Sequence, residues 1–168
     1  MSNIDNDSVN PKGLATIGGS ALFIAAVPLT SFLAQPNGLL EKAVNGLCTA
    51  IAFVGSAGSN SKVSQTQKIA ALSTLYIFST YALSGAGSAA ALAAGNKEGR
   101  DQSHPRAQVQ NLRGLPLRLH SAHCNLLEKF GGFGLSAALA QIMAPGDQTL
   151  INLLGLHVIS KVLVYALV

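Results

Sequence analysis

Residues 118–128 read RLHSAHCNLLE and set charged and amide side chains directly against a long apolar run. On a helix advancing about 100° per residue, with Arg118 at zero, Ser121, Asn125 and Glu128 fall at roughly −60°, −20° and −80°. Lys129 falls at about +20°, while Leu126 and Leu127 point elsewhere. One face therefore carries a guanidinium, an amide and a carboxylate. Such a set can hold a small zwitterion: arginine clamps a carboxylate, glutamate an ammonium, and the amide serves either. The same residues can instead form a structural network, with Glu128 paired to Arg118, Lys129 or Lys161. In either case a polar stripe running into an apolar helix is costly unless it faces protein, cavity or ligand.

Other chemistries find little support. There is no Gly-rich phosphate loop, no zinc-spaced Cys/His cluster and no plausible hydrolytic triad. His120 and His123 offer only two ligands, so no metal site is expected. Cys48 and Cys124 lie far apart without a partner pattern and read as small buried side chains. The net charge of +4 comes without aromatic and basic residues interleaved, so no nucleic-acid partner is expected.

The elements that must position the stripe are apolar. The 168-residue chain is 49% hydrophobic and only 11% charged, well below the roughly 25% charged residues of soluble domains. Residues 1–12 are polar, carry Asp5, Asp7 and Lys12, and make a poor signal-peptide start. Residues 13–34 hold no charge and reach about 33 Å as a helix, enough to cross a bilayer core. Pro28 is expected to kink that helix, and Gln35-Pro36-Asn37-Gly38 signals a turn. Residues 39–58 have helical period, but their clean apolar part is short. It can span or lie at the interface, and both readings stay open. Residues 59–68 read as a polar connector. Residues 69–94 are charge-free, the strongest membrane signal of the chain. Their second half pairs Gly85 with Ala89 and Ser84 with Ser88, a small-residue surface suited to close helix packing.

The polar loop 95–117 holds Lys97, Arg100, Arg106 and Arg113, whereas the connection at Pro145-Gly146-Asp147 has no basic residue. The positive-inside rule puts the loop on the cytoplasmic side. The stripe helix is expected from near Pro116 to near Ala144, with Gly131, Gly132 and Gly134 able to kink it or admit a neighbour. Residues 148–168 form the last apolar helix. His157 and Lys161 share one face of it, where the lysine must find a partner or snorkel.

Arg118, Ala122, His123, Asn125 and Glu128 resemble the second-helix signature of the MAPEG family (membrane-associated proteins in eicosanoid and glutathione metabolism). The arginine seven before the asparagine, the Ala-His pair, the asparagine and the glutamate all fall in place. His104-Pro105-Arg106 resembles the Pro-Arg of the preceding loop. The resemblance covers roughly residues 70–168. It implies an all-α integral membrane bundle of four to five apolar helices, usually a homotrimer, with glutathione bound between subunits as cosubstrate. It also implies a transferase or peroxidase acting on hydrophobic electrophiles, or, in one branch, a non-catalytic lipid-binding scaffold. The implied glutathione-binding residues are Arg118, His123, Asn125, Glu128 and Lys161, and no catalytic residue is assigned.

Some positions depart from the family pattern. Ser121 stands where catalytic members commonly have another arginine. Lys161, Val164 and Val168 stand where the family has an arginine and two tyrosines, and Tyr165 is one residue out of phase. The arginine that opens the fourth helix in the leukotriene-synthase branch has no counterpart before Val168, so a diverged or truncated member is expected. The organisation read from the chain is a tail over 1–12, an additional membrane region over 13–68 and a MAPEG-like domain over 69–168. Lipid, glutathione and a hydrophobic small molecule are the expected partners. A multi-pass protein of the endoplasmic reticulum or another intracellular membrane is expected if the source is eukaryotic. Alkaline carbonate extraction should then leave the protein in the membrane pellet, and release into the supernatant would contradict an integral bundle.

Overall fold

A computed structural model describes residues 19–56, 58 and 62–166. Within them the chain is all-α. The helices are α1 (Gly19–Leu33), α2 (Leu39–Gly55), α3 (Gln65–Ala94), the short α4 (Pro105–Val109), α5 (Gly114–Met143) and α6 (Gln148–Ala166). Helix α3 is long and apolar enough to cross a membrane, and Ile24–Leu33 and Gln148–Leu163 are shorter apolar stretches. The expectations for residues 1–12, and for the side chains of Val164, Tyr165 and Val168, lie outside the described residues.

Local chemistry sets the helix ends. Asn37 takes a left-handed φ of 65° in the expected turn, and its N–H donates to Glu41 Oε2 at 2.6 Å. Helix α3 starts four residues before its apolar run because Ser64 and Gln67 form a reciprocal capping box. Gln67 N–H donates to Ser64 Oγ, and Ser64 N–H to Gln67 Oε1. Asp147 accepts from the N–H groups of Thr149 and Leu150 and so opens α6. The loop between α3 and α5 is shorter than expected, because α5 begins at Gly114, whose φ of 58° suits glycine. Leu112 in that loop is fully buried. The loop's exposed Asp101 accepts from Ser103 N–H and His104 N–H, which hold its carboxyl below the usual range.

Helix α3 changes phase midway. Residues Phe78–Leu83 form a π-helical turn in which Ser84 N–H bonds to Ser79 O, five residues back. The extra residue rotates the second half of the helix by about 100°. Ser84 and Ser88 thereby turn inward while Leu83 stays exposed.

The core gathers α2, α3, α5 and α6 around Tyr76, which is fully buried. Its ring lies 4.7 Å edge-on from Phe133, 5.9 Å from Phe130 and 5.4 Å from His157. Phe133 stacks on His157 at 5.4 Å. Two glycines mark the closest approaches. A Cβ at Gly155 would collide with the Val44 side chain, and one at Gly95 would collide with Leu112 and sit 3.3 Å from Pro116 Cβ. A Cβ at Gly131, Gly132 or Gly134 would meet nothing within 4 Å among the described residues.

A polar node ties the helix ends together. Gln148 Oε1 accepts from Gln65 Nε2 at 2.8 Å and from Lys68 Nζ at 3.3 Å. Gln148 Nε2 donates to Asn152 Oδ1 at 2.7 Å, and the fully buried Asn152 donates to the Ala34 carbonyl at 3.0 Å. That carbonyl belongs to the turn ending α1, whose Leu22, Ile24 and Phe32 are otherwise exposed. Because the α2–α6 contact tolerates no Cβ, Gly155→Ala should cost about 1–3 kcal/mol through overpacking. A lowered melting midpoint in detergent reads this. Gly146→Ala, whose Cβ would meet open space, should leave the midpoint unchanged.

Candidate functional site

Helix α5 is continuous from Gly114 to Met143, so the stripe residues sit on one rigid element. Its inward face buries Ala122, Leu126, Phe133, Ala137 and Ala140. The adjoining face, centred about 90° around the helix, exposes Arg118, Ser121, Asn125, Glu128 and Lys129. No hydrogen bond or ion pair among the described residues engages Arg118, Asn125 or Glu128. The ion pair seen there joins His104 to Asp101 at 3.5 Å, far along the loop. Among the described residues, Glu128 makes no ion pair with Arg118, Lys129 or Lys161.

At 1.5 Å per residue, Arg118 and Glu128 are about 15 Å apart along the helix, and Asn125 lies about 4.5 Å from Glu128. Three extended residues span at most about 11 Å. The long Arg118 and Glu128 side chains can close the difference around a ligand of tripeptide size.

The histidines take a different role from the stripe. His123 turns toward α3, where its Nδ1 lies 2.9 Å from Ser84 Oγ. The Ser84 hydroxyl donates to the Thr80 carbonyl at 2.6 Å, so the histidine is the donor of the pair. One turn back, His120 Nδ1 lies 2.8 Å from Ser88 Oγ, and His120 Nε2 lies 3.6 Å from Cys124 Sγ. Two Ser–His pairs thus bridge α3 and α5. The serines show in the sequence as a small-residue pattern, but their pairing with histidines 32 and 39 residues away has no local signal. Among the described residues, no group of three or more His, Cys, Asp or Glu is placed to hold a metal. Lys161 is half-buried on α6, one turn beyond His157.

Among the described residues, grooves run between the helices, three of them near α5. One of about 550 Å³ lies between α3 and α5, lined by Ile69, Ser73, Phe130, Ala137 and Gln141 among others. One of about 420 Å³ lies between α5 and α6, with Lys129 and His157 at its wall. The third, about 270 Å³, is lined by Ser79, Ser84 and Leu126 and reaches Val162. None of the three is lined by Arg118, Asn125 or Glu128. In a single chain the stripe is an open helix surface, and a closed site there needs a second wall.

Among protein-family models, the one described as the MAPEG family matches residues 69–168. No curated protein and no solved structure matches the chain.

Proposed function

This chain belongs to the MAPEG family, and from that premise we propose that it is a multi-pass membrane protein binding glutathione along α5. It uses the thiol on hydrophobic electrophiles or peroxides. The observation that carries this reading is the exposed, unengaged Arg118, Asn125 and Glu128 on one face of a continuous helix. A carboxylate and an amide on a membrane helix need a partner, a cavity or the headgroup region, and the described residues supply no partner. A zwitterionic tripeptide held against a neighbouring subunit is such a partner, and a homotrimer supplies that second wall.

In this reading Arg118 holds a glutathione carboxylate, Glu128 its ammonium, and Asn125 a peptide group. His123 fixes the rotation of α5 through Ser84, and Lys161 adds positive charge from α6. Helices α1, α5 and α6 cross the bilayer with α3. At about 45 Å, α5 outlasts a hydrocarbon core of about 30 Å, so its Arg118 end reaches the headgroups on the cytoplasmic side with the basic loop. Residues 13–68 are an additional membrane region ahead of the MAPEG-like domain.

Ser121 in place of an arginine, and Lys161 in place of the third-helix arginine, favour a second reading. In it the chain is a non-catalytic scaffold that binds lipid through its exposed apolar helices.

Calorimetric titration of glutathione into the detergent-purified protein, with melting curves, tests the proposal. Glu128→Gln keeps the size and removes the charge. Losing that charge should weaken binding by roughly 1.5–3 kcal/mol, or one to two decades in Kd, while the unliganded melting midpoint stays put. A midpoint that falls without ligand marks Glu128 as a structural partner across subunits instead. No heat from the wild type at millimolar glutathione would end the glutathione reading and favour the scaffold.

A further inference from the structure

We propose that Cys124 is a covalent acceptor for soft, membrane-partitioning electrophiles of the α,β-unsaturated carbonyl class, with His120 as its base and Ser88 as the positioning residue. Three observations converge on it. Cys124 Sγ lies 3.6 Å from His120 Nε2, within the reach of a thiol hydrogen bond. His120 Nδ1 lies 2.8 Å from Ser88 Oγ, on the far side of the ring. When Nδ1–H donates to Ser88, the lone pair at Nε2 is the one aimed at the thiol. Cys124 is also half-buried rather than sealed, next to the exposed Asn125.

The second cysteine provides an internal contrast. Cys48 is fully buried, and its thiol faces the Lys68 carbonyl at 3.7 Å, an acceptor that cannot carry a proton away. The neighbouring pair Ser84–His123 has the same serine-to-imidazole geometry, but four residues on stands Leu127 instead of a thiol. Only the His120 pair has a nucleophile one turn ahead of it. The arrangement is thus nucleophile, base and orienting group in sequence.

The reaction balances without an oxidant or cofactor. Sulfur attacks the β-carbon of the unsaturated carbonyl as the thiol proton passes to His120 Nε2. The alkene pair moves onto the carbonyl to give an enolate, and the imidazolium returns its proton to the α-carbon. An S–H and a C=C bond are replaced by S–C and C–H bonds. In the tautomer with Nδ1–H, Ser88 accepts from it and stabilises the transient imidazolium beside the forming anion.

The site is independent of the glutathione reading, and its test uses no glutathione. The full chain in detergent is treated with N-ethylmaleimide or trans-2-nonenal, and adducts at Cys124 and Cys48 are followed by peptide mass spectrometry. Cys124 should react faster than Cys48, and roughly tenfold or more faster than Cys124 in a His120→Ala variant. Added imidazole should restore part of that loss, an effect that lost packing alone would not give. After denaturation in SDS, wild type and variant should react alike. Should His120→Ala fail to fold by its melting curve, Ser88→Ala decides, with a severalfold slower reaction expected in the folded state. Equal Cys124 rates in folded wild type and variant, or a difference that persists in SDS, would overturn the assignment.

Discussion

The close approach of α3 and α5 governs the rest of the structure. The small side chains from Ser84 to Ala94 let the two helices come near enough for Ser84 to bond His123 and Ser88 to bond His120. Those two bonds, one turn apart, fix how α5 is rotated about its own axis. With the histidines turned inward, Arg118, Asn125 and Glu128 have to point outward. The same setting brings Cys124 to His120. The π-helical turn in α3 is part of this arrangement, because without its extra residue Leu83 and Gly87 would face α5 in place of the serines.

The far end of the molecule is held by different physics. There Gln65, Lys68, Gln148 and Asn152 join the ends of α1, α3 and α6 through hydrogen bonds, one of them fully buried. A buried amide that loses its partner in low dielectric costs about 1–3 kcal/mol, so the node discourages other registers of these helices. Gly155 against Val44 sets the distance between α2 and α6 in the same region. Helix α1 contributes little to this core. Its Leu22, Ile24 and Phe32 side chains are exposed among the described residues, and a contiguous apolar surface of this kind suits lipid or another chain.

Much of the architecture could be read from periodicity and turn chemistry, because both are local. The turn at residues 35–38, the charge-free helix over residues 69–94 and the stripe helix near residues 116–144 all lie within a few residues of their observed bounds. The capping box at Ser64 and Gln67 was present in the sequence as S-x-x-Q, and it explains the earlier start of α3. The short α4 and the buried Leu112 inside a polar loop carried no such pattern. A single leucine among charges says nothing until Gly95 opens a space for it.

What the sequence determined by itself was the angular relation of Arg118, Asn125 and Glu128, because 3.6 residues per turn sets their relative directions wherever the helix lies. It also determined the apolar class of the chain and its resemblance to the MAPEG family. Only the tertiary structure decided which way that face points, and that it finds no partner among the described residues. Absolute rotation about a helix axis depends on what the opposite face meets. Here that means two serines more than 30 residues away, brought into phase by a π-helical turn that has no signature in residue type. The Cys124–His120–Ser88 alignment has the same origin. His120 and Cys124 are neighbours on any helix, but the serine that orients the imidazole comes from another one.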